Sequence, residues 1–169
     1  MRWLVFLIAM GVAGVTLGCE KPADLVQVGE GKLRVWGFSI YTATSYRCAD
    51  TRLGDGSQVQ GPFMLSLTYA RDIDRNALLD ATRDQWQRLG LAKDQGPAWL
   101  SALASLWPDV KKGDRLSLFI DRAGQSMFYL NDRRLGEIAE PAFGPAFAAI
   151  WLHPDASYQQ VRTALLGGS

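Results

Sequence analysis

Arg34 is the charged residue of this chain whose surroundings best indicate chemistry. It lies in segment 29–46, GEGKLRVWGFSIYTATSY, where a glycine-rich start leads into aromatic and β-branched residues. A guanidinium is planar, always charged and able to bond two oxygen atoms at once, so it suits the carboxylate of a bound acid. The segment therefore predicts an anion-binding arginine in apolar surroundings. The alternative is an arginine that pairs with Asp72, Asp74 or a backbone carbonyl and holds the sheet edge.

Tyr41 is the second candidate ligand-binding residue, and its relation to Arg34 depends on local geometry. Residues 33–46 have the composition of a half-buried sheet surface and are predicted to form one long strand. Strict alternation places Arg34 and Tyr41 on opposite faces of that strand. A bulge at Gly37 would bring Tyr41 to the face of Arg34. Both geometries remain open at this point.

The elements around these residues follow from periodicity and turn signals. Strands are predicted at 63–69 and 116–120, the latter entering a hairpin around Gly124 that leads to a second turn at 131–132. Strands in succession indicate antiparallel pairing. Helices are predicted after an Asp72 or Asp74 cap as far as Gly90, from Pro97 to Trp107, over 143–152, and from a capping box at Ser157 to Leu166. Trp86 is expected in the core and His153 in a loop.

The amino terminus predicts export. A basic start at Arg2 precedes an uncharged, mostly apolar run over 3–18, which is shorter than the ~20 residues that a membrane-spanning helix needs. Residues 1–18 are therefore predicted to be a signal peptide, and 19–169 the mature domain. The expected location is the periplasm, in free form or as a membrane-anchored lipoprotein.

Cys19 has two alternative fates. Gly18-Cys19 is similar to a lipoprotein processing site, although Leu17 and Thr16 depart from the usual residues, and lipidation would attach the chain to the membrane through Cys19. Ordinary cleavage after Gly18 also fits, and leaves Cys19 able to form a disulfide with Cys48. That bond would stabilise the fold by about 3 to 4 kcal/mol in the chain-entropy model. Both alternatives stay open.

Charge and composition exclude several classes of protein. Removing residues 1–18 takes away one arginine and leaves the basic residues equal in number to the 17 acidic ones. A near-neutral chain without a basic stripe argues against nucleic-acid binding. Two cysteines and one histidine without ligand spacing predict neither a metal site nor a cofactor. The remaining roughly 150 residues suit one domain.

Several segments together carry a resemblance to a known family. After the arginine-bearing segment come GPFMLSLTYARDID, DATRDQWQRLG, LWPDVKKGDRLSLFI, MFYLNDRRLGEI, and PAFGPAFAAIWL with a terminal RTALLG. In this order they resemble the chalcone isomerase-like family, in its bacterial exported branch. The resemblance implies an α+β fold in which a curved antiparallel β-sheet packs against a layer of helices, with a cleft between them. Some members isomerise chalcones to flavanones, and others are non-catalytic and bind fatty acids.

The catalytic residues that the resemblance implies are mostly lost. The family arginine matches Arg34, whereas Tyr41 occupies the position of a strand threonine. The tyrosine and asparagine positions fall near Asp74 and Ala81, and a late threonine falls near 149–150. Isomerisation needs donors already aimed at developing charge, and one arginine does not supply that arrangement. No catalytic residue is therefore assigned.

Three functions follow as hypotheses. The first is an exported, non-catalytic protein that binds a fatty-acid-like or other amphipathic small molecule, with Arg34 and Tyr41 at the polar end of an apolar cleft. The second is an isomerase, an intramolecular lyase of the chalcone isomerase type, with rearranged active-site residues. The third is a structural or partner-binding domain of the envelope, which would show an exposed apolar patch.

Overall fold

Six antiparallel strands and four helices build the domain. The computed structural model describes residues 18–168, and the predicted signal peptide up to residue 17 lies outside this range. The strands are β1 Val26–Val35, β2 Phe38–Arg47, β3 Phe63–Tyr69, β4 Arg115–Ile120, β5 Ser126–Leu130 and β6 Arg133–Ile138. The helices are α1 Arg75–Leu89, α2 Gly96–Leu106, α3 Phe143–Leu152 and α4 Gln159–Leu165. The strands follow one another in sequence order across one open, curled sheet, which confirms the predicted α+β class.

The predicted long strand over 33–46 is wrong. A two-residue turn at Trp36 and Gly37 divides it into β1 and β2, and both residues have positive φ, 52° and 84°. Positive φ at both central positions is the geometry of the type I′ hairpin turn. Glycine adopts it freely, whereas tryptophan rarely does, so the strand-forming character of Trp36 hid the turn.

A bulge occurs after the turn and not at Gly37. In the pairing of β1 with β2, Arg34 opposes Ser39 and Leu33 opposes Tyr41, so Ile40 is the extra residue. Residues directly opposite each other in an antiparallel pair project to the same face. Tyr41 therefore shares the face of Leu33, and the bulge does not bring it to the face of Arg34.

Local signals place the helices well. The Asp74 carboxylate accepts a hydrogen bond from the Ala77 N–H at 2.9 Å, and Gly90 ends α1 in the left-handed conformation with φ 67°. Both predicted end signals of α1 are confirmed, as is the span of α3. The capping box at Ser157 is wrong, because its hydroxyl donates instead to the Gln85 side chain at 2.7 Å.

The glycine-rich start of β1 serves helix packing. A Cβ on Gly29 would lie 1.8 Å from the carbonyl oxygen of Ala164, and one on Gly31 would lie 3.1 Å from the Cα of Val161. The missing side chains let α4 approach the backbone of β1 closely. Beside the Gly29 contact, the hydroxyl of Ser45, which directly opposes Gly29, donates to the Leu165 carbonyl oxygen at 2.6 Å.

Aromatic rings fill the space between the sheet and the helices. Trp86 is 2% exposed, and its Nε1 donates to the Ala146 carbonyl oxygen at 2.9 Å, which confirms its predicted place in the core. Trp99 and Phe143 meet Trp86 edge to face. Such aromatic pairs add to the free energy gained from burial alone.

Cys19 and Cys48 form a disulfide, with their Cα atoms 5.8 Å apart. It fastens the segment before β1 to the end of β2. Of the two alternatives for Cys19, the structure therefore contains the disulfide, and the same sulfur cannot at once carry a lipid. Lipidation of Cys19 stays a prediction for a form of the chain in which this bond is absent. Among residues 18–168, no helix has the length and apolar character that crossing a membrane requires.

Candidate functional site

An apolar cavity of about 350 Å³ lies between the inner face of the sheet and helices α1 and α3. It is the cleft that the sequence led us to expect. The sheet contributes side chains from β1 to β4, and the helical side contributes one face of α1 and one face of α3. The lining residues are Leu33, Val35, Ile40, Tyr41, Leu67, Tyr69, Ile73, Ala77, Leu78, Ala81, Thr82, Gln85, Trp107, Leu116, Phe147, Ile150, Trp151 and Tyr158.

The lining side chains carry no formal charge. Hydrocarbon groups dominate the wall, and polar atoms come from tyrosine, tryptophan, threonine and glutamine. The Thr82 hydroxyl donates to the Leu78 carbonyl oxygen within α1 at 2.9 Å, and Gln85 accepts from Ser157. The Thr82 hydroxyl and the Gln85 side-chain oxygen are therefore engaged in the structure of the wall. The free hydrogen-bonding capacity of the cavity rests mainly on its tyrosines.

Tyr41 is the polar centre of the cavity. The Trp151 Nε1 donates to the Tyr41 hydroxyl oxygen at 2.8 Å, linking α3 to β2. Because an indole N–H can only donate, Tyr41 is the acceptor in this bond and keeps its own hydroxyl hydrogen for another partner. The Tyr69 ring stands edge-on to the Tyr41 ring, with centroids 6.0 Å apart. Its hydroxyl has no hydrogen-bond partner among the described residues.

Burial keeps both phenols neutral. Removal from water raises the pKa of Tyr41 far above its ordinary value, and the hydrogen bond from Trp151 offsets only part of that rise. Burial likewise raises the pKa of Tyr69, and the neighbouring Tyr41 raises it further. Both hydroxyls therefore remain hydrogen-bond donors across the physiological pH range. They can polarise or hold an acceptor oxygen, and they are poor general bases.

Trp107 is a buried part of the cavity wall. Its ring is 4% exposed and meets Phe128 and Phe147 edge to face. Its Nε1 is buried without a hydrogen-bond acceptor among the described residues. An unpaired buried N–H costs free energy, so the position is held by packing of the ring.

Arg34 lies outside the cavity, contrary to expectation. It is exposed and absent from the lining, whereas its neighbours Leu33 and Val35 both line the cavity. The alternation of β1 therefore directs the Arg34 side chain to the outer face of the sheet. Arg34 and Tyr41 are not brought together, and the expected guanidinium in an apolar cleft is wrong.

The alternative structural role of Arg34 is wrong as well. Asp74 is engaged in capping α1, while Asp72 accepts the Lys112 N–H and lies 3.5 Å from the Lys111 ammonium. Within residues 18–168, Arg34 forms no ion pair. Its charge is therefore available at the surface.

Some of the positions inferred from the family resemblance lie at the cavity and others do not. Tyr41, Ala81 and Ile150 all line the cavity, whereas Asp74 does not. The cavity thus includes three of the positions that the resemblance placed together, without Arg34 and Asp74. Alanine and isoleucine replace the polar groups there, so the wall is mostly apolar.

Sequence reasoning missed Trp151 and Tyr69 as members of the site. Tyr69 ends the apolar face of the predicted strand 63–69, and Trp151 shares a face of α3 with Phe147. The available signal was the apolar spacing, which predicted that the faces carrying Tyr69 and Trp151 are buried. That spacing does not distinguish a wall of a cavity from a filled core.

Metal ligation has no basis in the described residues. Among residues 18–168, no group of three or more His, Cys, Asp or Glu side chains could hold a metal ion. His153 follows α3 directly, where its Nδ1 accepts the Asp155 N–H at 3.0 Å, and it does not line the cavity.

Comparison with known proteins agrees with this architecture. A family model described as chalcone isomerase-like matches residues 21–167. A protein of Haemophilus influenzae described as uncharacterized is 27% identical over 158 residues, covering 92% of this chain and 75% of that protein. The crystal structure of an Arabidopsis thaliana fatty-acid binding protein superimposes with a TM-score of 0.65 at 11% identity, covering 88% of this chain and 89% of the other. The protein therefore belongs to the chalcone isomerase-like family.

Proposed function

We propose that this protein is a non-enzymatic binding protein that holds the apolar part of an amphipathic small molecule in the cavity. The observation that carries the proposal is the cavity of about 350 Å³ with an uncharged, largely hydrocarbon wall and a tyrosine donor. Its size is near the lower end of the range for small-molecule sites. The fold it shares with a protein named for fatty-acid binding supports the same reading.

The head group of the ligand is inferred to be uncharged. Tyr41 and Tyr69 offer hydrogen-bond donors, so they suit a carbonyl, ester, hydroxyl or protonated carboxyl oxygen. An ionised carboxylate beside Tyr41 would lose its water without gaining a counter-charge, because the lining residues carry none. A fatty acid that binds with its head at Tyr41 therefore binds in protonated form.

The cavity volume sets an approximate chain length. At about 30 Å³ for each water-sized group, it offers space for roughly a dozen such groups. Affinity should rise with chain length up to roughly a dozen carbon atoms and then level off, since further carbon atoms would stay in solvent.

Three ligands of equal chain length test the head-group inference. Dodecanoic acid, its methyl ester and dodecanol are titrated calorimetrically between acidic and neutral pH. The ester and alcohol should bind with affinity independent of pH, whereas the acid should bind more weakly as pH rises past its own pKa, because only the neutral form enters. Tighter binding of the acid at neutral pH would contradict an uncharged head group.

A pair of variants tests the cavity itself. Ala81 is an exposed residue at the edge of the cavity, and Ala81→Phe should obstruct entry and weaken ester binding by about tenfold or more. Ala98→Phe places the same ring on an exposed position of α2 away from the cavity and should bind like the parent. Equal binding by parent and Ala81→Phe would overturn the proposal.

Mass spectrometry of the natively purified protein is the direct test of a natural ligand. We expect an extractable amphipathic molecule that Ala81→Phe lacks. Chalcone cyclisation assayed alongside should proceed no faster than in buffer, since four of the five catalytic positions inferred from the resemblance carry other side chains. A measurable rate that Tyr41→Phe removes would favour the isomerase hypothesis instead.

Export is part of the proposal. Disulfides persist in oxidising compartments such as the periplasm, and Cys19 is joined to Cys48 directly after the predicted leader. Intact-mass analysis should find a chain that begins at Cys19 and lacks two hydrogens relative to the reduced form. A mass increased by lipid at Cys19 would contradict this and support the lipoprotein alternative.

A further inference from the structure

The hairpin tip, residues 35–38, exposes two aromatic side chains that are two positions apart in the chain. Trp36 is 94% exposed and Phe38 is 69% exposed, more than any other large apolar side chain among the described residues. Single exposed apolar residues are normal on protein surfaces, whereas adjacent ones form a patch that a partner can cover. Covering both rings would return the free energy that their hydration costs.

The hairpin tip forms part of the rim of the cavity. Val35 directly opposes Phe38, so both side chains project to the cavity side of the sheet. Val35 lines the cavity, as does Ile40, two residues after Phe38. Tyr158, which is 40% exposed, also belongs to the lining. A surface that covers the tip would therefore lie beside the part of the cavity that Val35 and Ile40 line.

Cationic side chains lie near the hairpin tip, at the same end of the sheet. Lys32 and Arg34 are exposed on β1, and neither joins an ion pair within residues 18–168. Arg71 is exposed and follows Ala70, whose N–H donates to the Ile40 carbonyl oxygen at 2.8 Å, so it lies at the same end of the sheet. The acidic Glu30 of the same strand lies roughly 13 Å farther from the turn than Arg34.

We propose that the hairpin tip docks the protein on a lipid bilayer that carries anionic head groups. Tryptophan favours the boundary between head groups and hydrocarbon, and Phe38 can enter the apolar layer beside it. Lys32, Arg34 and Arg71 then face anionic lipids. The cavity exchanges its ligand with the bilayer at this contact, and that exchange rests on the proposed function, whereas docking itself does not.

A second copy of this chain is a poorer occupant of the tip. A two-fold contact through Trp36 and Phe38 would bring two sets of Lys32 and Arg34 together around the same patch. Like charges across an interface oppose association. An anionic bilayer offers an apolar layer for the two rings and negative head groups for the cations.

Vesicle flotation tests the docking. The chain 19–169 is used, because it contains every described element and the disulfide and lacks the apolar leader. It should float with vesicles of phosphatidylcholine and phosphatidylglycerol. Trp36→Ser combined with Phe38→Ser should weaken binding by about tenfold or more. Val26→Ser removes an apolar side chain that is 48% exposed at the far end of β1, and should float like the parent.

A charge variant separates the electrostatic contribution to vesicle binding from the contribution of the aromatic rings. Lys32→Gln combined with Arg34→Gln should weaken binding to the anionic vesicles and reduce its dependence on salt, and should leave binding to pure phosphatidylcholine vesicles unchanged. Trp36 fluorescence gives an independent reading, since the other tryptophans of residues 18–168 are buried. Its emission should shift to the blue with vesicles, and Trp36→Phe should lose that shift while still floating.

The outcomes distinguish docking from ligand binding. A parent that does not float with anionic vesicles, or a serine double variant that floats equally well, would overturn the proposal. A dimer detected by ultracentrifugation would also overturn it, if the serine double variant no longer forms this dimer and yet still binds vesicles. Binding of dodecanol in solution should be unchanged in the double variant, because Trp36 and Phe38 do not line the cavity. Flotation without dodecanol binding would overturn ligand exchange and support docking.

Discussion

The Trp151 indole nitrogen and the Tyr41 hydroxyl are joined by a 2.8 Å hydrogen bond across the cavity. The two residues are 110 positions apart in the chain, and they connect helix α3 to strand β2. The bond orients the phenol: its oxygen faces the indole, and its hydrogen is left for a ligand. The same contact therefore supports the wall and provides the donor that a bound molecule would meet.

Tyr41→Phe tests both roles of this bond. Losing the acceptor leaves the Trp151 N–H unpaired, so we expect the free energy of unfolding to fall by about 1 to 3 kcal/mol. Loss of the free donor should weaken binding of dodecanol or a dodecanoate ester by roughly fivefold to tenfold. Urea unfolding and calorimetry give the two quantities. Tyr46→Phe, on the outer side of the sheet, is the matched control and should change neither. Unaltered binding by Tyr41→Phe would contradict its assignment as the polar end.

Tyr69 predicts a loss of stability in alkali. Burial raises its pKa above the ordinary value of 10.0, so the unfolded chain releases this proton at lower pH than the folded protein does. The contribution to stability is complete below pH 10 and declines as pH rises from there towards the folded-state pKa. Urea unfolding on both sides of pH 10 should show a shallower decline for Tyr69→Phe than for the parent. Identical declines would show that burial of this phenol does not affect alkaline stability.

The elements that local sequence signals define were predicted well. The bounds of α3, the Asp74 cap and the Gly90 end of α1 depend on residues within a turn or two of each other. Such signals act through the first and last turns of a helix and through its apolar face. The turn at 131–132 also followed from its own residues, both of which have positive φ.

The failures arise at one local turn and where distant parts of the chain decide the outcome. Trp36 has the composition of a strand residue, yet it occupies a hairpin turn. The turn puts Arg34 and Tyr41 on two paired strands instead of one long strand. The pairing of Trp151 with Tyr41 has no local signal, because it depends on how α3 lies over the sheet. Periodicity marks a side chain as buried, and only packing shows whether it faces a neighbour or a cavity.

The disulfide should account for a large part of the stability. Cys19 and Cys48 are 29 residues apart, and closing a loop of this length contributes about 3 to 4 kcal/mol in the chain-entropy model. The urea midpoint of the parent should fall on addition of reductant. Cys19→Ser combined with Cys48→Ser should show the lower midpoint from the start and no response to reductant. A parent whose midpoint does not respond to reductant would argue against this bond.

Alanine at Gly29 and at Gly31 tests how far stability depends on the close packing of α4 against β1. A Cβ on Gly29 would lie 1.8 Å from a backbone oxygen of Ala164, and backbone atoms cannot rotate away as a side chain can. A Cβ on Gly31 meets Val161 at 3.1 Å, which a small shift can relieve. We therefore expect Gly29→Ala to reduce the free energy of unfolding by about 2 to 4 kcal/mol, and Gly31→Ala by about 1 kcal/mol or less. Because Tyr158 directly precedes α4, displacement of the helix should also weaken dodecanol binding in Gly29→Ala. Equal stability of the two variants would show that α4 does not depend on this close approach.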